Sequence, residues 1–394
     1  MVNNRRYEER RRDRERRVRQ MERARQRRRL AGRAVSRGKM SAHVNLFDVP
    51  DRQFKLSYRF SKENVHRITA ILMPFLVRVN EKGNPLTPSN QVATALLQLS
   101  GACFQRITGM AAGGVSQNCA RTTTKRVVEA LFTLRDEWIK FPTTAQMDET
   151  AGEMFEQFKL PNFFAGVDGC QVRFQKKPRG CPPRQDLQLY WCRKQFYSLN
   201  VQFVSNHEYI YSVDAQWFGS AHDARIWKRS VAKVMVEDIT SGHIIAGDSA
   251  YPLSTTLMKP FANPNRTQGI FNGKLSGLRT RMTENVYGRL KARFPILREM
   301  RHNLVYSQRI VVACAVLHNM AESFMDKVDD VTAQDPYGRP VDEPPQRRPQ
   351  RLRPNVDLGP GQNGRNDRQR LRDGERLRNA YLREFANARN LPIP

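Results

Sequence analysis

Two short strings in this chain carry an apolar run straight into an aspartate: FFAGVDG, which reaches Asp168-Gly169, and HIIAGDSAYP, with Asp248 ahead of Tyr251-Pro252. Singly, each reads as a strand closed by a turn, where Asp is common. If the first strand is central and the second lies parallel beside it, both carboxylates emerge at one strand-end edge. Two anions that close repel, and one takes a proton unless something positive lies between them. Divalent ions meet that need. Mg²⁺ or Mn²⁺ takes hard oxygen ligands, and a pair of ions about 4 Å apart aligns water and leaving group for phosphodiester cleavage.

A third carboxylate should come from a helix that returns to this edge. Glu284, in TRMTENVYGRLKARFPIL, opens such a helix on the flank of an apolar stripe of Tyr287, Leu290, Phe294 and Leu297. Its plainer explanation is an N-terminal helix carboxylate favoured by the dipole. Lys291 lies two turns on along that flank, where it could meet a phosphate. The rival for the second position is Asp223 in GSAHDARIW, with His222 beside it to orient a water or phosphate; a helix cap is the cheaper role for Asp223. Asp214 reads as a strand residue turned to solvent or a basic neighbour, and His318 in AVLHNM as a core histidine. Trp191, Arg193 and Lys194 combine a ring and two cations at a strand approach, which is either a nucleic-acid edge or a solvated strand end.

The elements that must hold these residues change texture near Pro161. Beyond it, NFFAGVDG, YSLNVQFVSN, YIYSVDAQWFG and HIIAG read as strands and DARIWKRSVAKVMVED as a helix, an α/β layer on a mixed sheet. From Leu46 to about Trp138 the pattern is helical, with starts at Ser61 and Ser116. A short helix, a turn with Gly109, Gly113 and Gly114, and the Ser116 helix follow the rhythm of a helix-turn-helix, or of a plain helical hairpin. In the first case Gln117, Asn118, Arg121, Thr124 and Lys125 face outward.

Charge narrows the partner. The chain of 394 residues has a formal net charge of +29, which matches a polyanion, nucleic acid first. Residues 1–40 hold 17 Lys and Arg against 5 acids, and residues 336–394 hold 13 against 7. Both segments are expected to be basic disordered arms, the second ending in a short amphipathic patch. Arg runs of this kind contact the phosphate backbone without reading sequence, and also serve as nuclear-import signals. No run as long as a membrane span and no signal-peptide segment stands out. The six cysteines show neither zinc spacing nor a disulfide framework.

The strings GVDGCQVR, YWCRKQFYSLNVQFV, GSAHDARIWKRS, GDSAYPL, FNGKLSGLRTRMTENVYGRLKARFPIL and AVLHNM, in that order over residues 160–325, resemble the Harbinger (PIF/IS5-like) transposases and the host nucleases derived from them. The resemblance is looser over residues 50–140. It implies an RNase H-like mixed sheet with flanking helices and a catalytic, metal-holding triad of Asp168, Asp248 and Glu284. Between the last two lie 35 residues. Two departures stand out, Ala250 where the family commonly has Gly, and Thr283-Glu284-Asn285 around the glutamate; neither removes a ligand. The expected layout is a basic arm over 1–40, an all-α helix-turn-helix-like DNA-binding region over 41–150, an RNase H-like nuclease domain over 160–330 and a basic tail over 336–394. The expected function is a metal-dependent DNA endonuclease or transposase of DDE type, acting on double-stranded DNA with two Mg²⁺ or Mn²⁺ ions, in the nucleus and to some extent the cytoplasm. The resemblance also implies a Myb/SANT-like partner protein, and a homodimer is a candidate assembly. The alternative is a domesticated, catalytically inactive DNA-binding or scaffold protein.

Overall fold

Side-chain caps start three of the helices in the first half of the computed structural model, which describes residues 46–77, 86–101, 109, 114–180, 187–239, 241–326, 364–389 and 391–392. All but Leu86 belong to one compact unit, Asn45–Val77 with Thr87–Pro394. The expected arm over 1–40, and most of the expected first helix and turn of the helix-turn-helix, lie outside the described residues. Helices α1 (Asp51–Tyr58), α2 (Lys62–Leu76), α3 (Pro88–Gly101), α4 (Gln117–Thr133), α5 (Arg135–Trp138) and α6 (Thr144–Phe158) come first. Ser61 and Ser116 start α2 and α4 as expected, each hydroxyl accepting a backbone N–H one turn on. On α2 the apolar spacing of three and four buries Val65, Ile68, Leu72 and Leu76. On α4, Gln117, Asn118, Arg121 and Lys125 are exposed. Thr124 departs from the expected outward set: it shares the buried face with Val127, Val128 and Leu131.

Five strands follow: β1 (Phe163–Arg173), β2 (Ser198–Ser205), β3 (Ile210–Phe218), β4 (Ile244–Ala246) and β5 (Leu257–Met258), in the order β3-β2-β1-β4-β5. β1 is central. It pairs antiparallel with β2, register Asp168 to Phe203, and parallel with β4, register Gly166 to Ala246. The expectation that β1 stops at Asp168-Gly169 is corrected. Gly169 stays extended, and pairing with β2 carries the strand on through Arg173. What ends there is the parallel partner, so Asp168 still projects past the end of β4.

Helices cover both faces of the sheet. On one, Phe164, Val167, Val204 and Ile245 pack with Trp227, Ala232 and Val236 of α7 (Asp223–Arg229) and α8 (Val231–Glu237). The single helix expected there is broken at Ser230, whose hydroxyl caps α8 at Lys233. On the other face Phe163, Ile244, Ala246 and Met258 pack with Phe271, Leu275 and Leu278 of α9 (Arg266–Arg279). α9 continues through a π-helical turn, Thr280–Glu284, into α10 (Asn285–Arg293).

Helix α11 (Leu304–Ser323) is long and apolar enough to cross a membrane by length and composition, contrary to the expectation that no such segment exists. It is buried in protein from Ile310 through Ala321, and Asn319 binds both the N–H and the C=O of Ile210 on β3. The basic disordered tail expected over 336–394 is corrected for its last part: α12 (Gly364–Asn387) is a helix whose Tyr381, Leu382 and Phe385 join the core beside Phe163 and Phe271. The apolar patch seen in the sequence is the docking stripe of that helix, and burial outweighs its polar composition.

Candidate active site

Asp168, Asp248 and Glu284 come to one edge of the sheet by three separate devices. Asp168 rides on the central strand, and its Oδ1 accepts its neighbour's N–H, Gly169, at 2.8 Å. Asp248 follows β4, and its Oδ1 accepts the N–H of Ala250 at 2.9 Å in a tight turn that Tyr251 anchors. Tyr251 is wholly buried, and its hydroxyl accepts from Gln202 Nε2 at 3.1 Å. Asp168, Asp223 and Asp248 all add to the burial that holds this phenol far above its ordinary range, so the three carboxylates converge on one ring.

Glu284 does not open a helix, which corrects the expected N-terminal placement. It closes the π turn inside a continuous α9–α10 rod, where no helix N-terminus favours its charge. Gly166 is why the rod lies so close to β1: a Cβ there would sit 2.7 Å from Thr283 Cγ2. Carbonyls in and just before the π turn are met by side chains, Met282 by the Ser205 hydroxyl at 2.6 Å and Arg279 by Thr283 at 2.9 Å. Tyr287 then ties the rod to the strand, its hydroxyl donating to the Asp168 carbonyl at 2.9 Å.

Arg279, one position before the π turn, joins two of the acids. Its Nη1 donates to Asp168 Oδ2 and its Nη2 to Glu284 Oε1 at 2.7 Å. The Arg279 and Asp168 side chains are each 16% exposed, that of Glu284 49%. Burial pushes the Asp168 carboxyl up to about 7; Arg279 opposes that rise and Asp248 and Asp223 add to it.

Asp223 is where the expectation needs most revision. It is the first residue of α7, and its carboxylate makes no cap; Oδ1 instead accepts from Asn200 Nδ2 at 2.8 Å. A Cβ on Gly169 would fall 2.4 Å from that oxygen. Only glycine there admits Asp223 beside Asp168. Burial raises the Asp223 carboxyl, Asn200 counters this, and Asp248 raises it further. Asp248 and Asp223 are therefore companions at one edge. His222 is exposed at the mouth of the same loop.

The remaining expected residues take plainer places. Arg193 and Lys194 are exposed on the turn before β2, close enough for Arg193 to stabilise the Asp223 charge. Trp191 is half exposed, edge-on to Tyr197 with centroids 5.0 Å apart. Lys291 Nζ donates to the Gln171 carbonyl on β1 at 3.5 Å. Asp214 holds the Trp217 indole N–H at 2.8 Å. His318 is a core histidine, bonded to the Glu208 carbonyl at 2.8 Å, with burial pushing its imidazole down to about 3. Arg279, Asn200, Gly169 and Lys259 were missed by the sequence reading. Burial, and then Arg378 of α12, push the Lys259 ammonium down while Asp248 pulls it up, so Lys259 stands between the tail helix and the acidic edge.

The donors suit a hard divalent ion: four carboxylates, with Asn200 Oδ1 and Gln202 Oε1 buried nearby and making no hydrogen bond. Among the described residues no three acidic, His or Cys side chains form a ready-made cage. Arg279 occupies one oxygen each of Asp168 and Glu284.

This edge lies within a stretch that is similar to known proteins. Residues 167–319 match the family described as DDE superfamily endonuclease, from the position before Asp168 to Asn319. It is also similar to "Putative nuclease HARBI1" of Homo sapiens and of Rattus norvegicus, each 26% identical over 308 residues, 76% of this chain and 85% of the relative. The protein of that name from Xenopus laevis is 25% identical over 284 residues, 70% of this chain and 80% of the relative. No solved structure matches the chain.

Proposed function

We propose that this chain is a metal-dependent DNA endonuclease or transposase of DDE type, with Asp168, Asp248 and Glu284 as the metal-holding triad and Asp223 as a fourth acid at the same edge. The observation that carries the reading is the arrival of β1, β4 and the α9–α10 rod at one edge, each with a carboxylate, inside the residues that match the family. Two Mg²⁺ or Mn²⁺ ions, when bound, would supply an activated oxygen nucleophile and stabilise the leaving oxyanion.

The chain's own residues do the rest. Asn200 fixes the Asp223 carboxylate and the Ala250 N–H fixes that of Asp248, which limits reorientation on loading. Arg193, which is near Asp223, and Lys194 and Lys291 are assigned as phosphate contacts. On α12, Arg368, Arg372, Arg376 and Arg383 are exposed on the side opposite the buried Tyr381 and Phe385, a basic stripe suited to duplex backbone. Gln117, Asn118, Arg121 and Lys125 on α4 are a second DNA-facing set. The basic arm over 1–40 is assigned to backbone contact and nuclear import on its Arg-rich charge, and a Myb/SANT-like protein to delivery on the family resemblance alone.

A non-cleaving DNA-binding or scaffold protein is the rival reading, and the Arg279 bridge favours it, because a guanidinium already neutralises two of the acids. Incubation of supercoiled plasmid with the full chain divides the two. Open-circle product with Mn²⁺ that EDTA abolishes supports the nuclease. DNA binding with no metal-dependent product supports the scaffold.

A further inference from the structure

Arg279 is held more closely than a neighbour of an acidic site needs to be. It leaves the last turn of α9 directly ahead of the π turn and reaches back to β1. One guanidinium nitrogen binds Asp168 and the other Glu284, so a single cation spans the strand and the rod. The second oxygen of Asp168 is taken by the Gly169 N–H. Guanidinium stays charged at any working pH and offers its donors in a fixed fork. A divalent ion that drew on Asp168 and Glu284 together would meet a like charge on the same oxygens. The two cations therefore disfavour each other at that pair of carboxylates.

We propose that Arg279 is an internal counter-cation of the carboxylate edge: it holds Asp168 and Glu284 together, competes with divalent ions for them, and passes to a substrate phosphate when the ions load. This inference rests on the metal-binding reading above and adds to it a coupling between metal and DNA. Arg279 is a positioning residue in this account. A phosphate brought to the edge gives the guanidinium a new anion, so DNA and metal favour each other. Without DNA the bridge closes and keeps metal affinity low.

The sign of one substitution separates competition from a merely structural role. If only a fraction of molecules has the guanidinium off the acids, apparent metal affinity is reduced by that fraction. Mn²⁺ binding to the full chain is measured from the free Mn²⁺ electron paramagnetic resonance signal, for wild type, Arg279→Gln, Arg279→Lys and Asp248→Asn, with and without a short blunt duplex. Arg279→Gln is expected to bind Mn²⁺ about tenfold tighter than wild type, as for a bridge open in roughly a tenth of molecules. It should also melt at a lower temperature without metal. Added duplex should tighten Mn²⁺ binding to wild type and leave Arg279→Gln nearly unchanged. Equal or weaker Mn²⁺ binding by Arg279→Gln overturns the proposal. Should that variant not fold, Arg279→Lys decides, since a single ammonium bridges less well: tighter binding than wild type supports the proposal, equal or weaker binding overturns it. Wild-type Mn²⁺ binding that is absent, or untouched by Asp248→Asn, overturns both this inference and the metal-binding reading. Binding that Asp248→Asn abolishes but Arg279→Gln does not tighten overturns this inference alone.

Discussion

Lowering the pH from 8 to 6 should weaken divalent-ion binding about tenfold, with one carboxyl responsible. Burial, opposed by Arg279 and reinforced by Asp248 and Asp223, raises Asp168 to about 7. The protonated form cannot serve as a ligand, so a metal ion must expel a proton below that value. The penalty on the dissociation constant is a factor of about 11 at pH 6, about 2 at pH 7 and about 1.1 at pH 8, a span of ~1.4 kcal/mol. Calorimetric Mn²⁺ titration at these three values tests it, with two buffers of different ionisation heat to count the proton released at pH 6. A dissociation constant that stays flat from pH 8 to 6, with no proton released, refutes the reasoning. Stability follows the same linkage. Unfolded, this carboxyl titrates near the ordinary value of about 3.9, so the folded state binds the extra proton between pH about 4 and 7. The group's contribution to metal-free stability is therefore fully present below pH about 4 and is lost as pH rises through about 7.

Three further outcomes follow from packing and charge. Phe385→Ala removes a ring, 4% exposed, that meets Phe271 edge-on at 5.6 Å; urea unfolding should show a loss of about 3–5 kcal/mol, and a loss under about 1 would mean that α12 is not part of the core. Gly169→Ala places a methyl 2.4 Å from Asp223 Oδ1 and 2.9 Å from Asn200 Oδ1; metal-dependent nicking should fall on the order of 10–100-fold with circular dichroism unchanged, and wild-type activity would remove Asp223 from the site. Replacing Arg368, Arg372 and Arg376 by Ala should lower the slope of log affinity for duplex DNA against log salt by up to about three, whereas an unchanged slope would take α12 off the DNA path.

The sheet was legible because its strands announce themselves. Aromatic and β-branched runs placed β1, β2, β3 and β4, and the two apolar runs into Asp168 and Asp248 placed both acids at one edge. β5 is two residues long and was not. Local pattern failed where long-range contact decides. Gly169 reads as a turn, yet its lack of a side chain admits Asp223 while the strand runs on. Glu284 reads as a helix start, yet Gly166 and Tyr287 seat a continuous rod with a π turn. Asp223 reads as a cap because nothing near it in sequence names Asn200, 23 residues away, as its partner. Arg279 lay in plain view five residues before Glu284, but its bridge to β1 spans 111 residues of sequence. The α12 stripe of Tyr381, Leu382 and Phe385 was visible, while the Pro- and Gly-rich segment before it argued for disorder.

The central claim is that Asp248 is a working ligand of a cleaving centre, and one comparison reaches it most directly. Supercoiled plasmid is incubated with Mn²⁺ and either wild-type protein or Asp248→Asn, purified in parallel and matched for folding. Asn keeps the shape of the side chain and an oxygen for the Ala250 N–H but removes the charge. The account predicts conversion to open circle by wild type and a loss of at least about a hundredfold in Asp248→Asn, the scale of removing a group that supports transition-state charge. Equal product from the two proteins would contradict it.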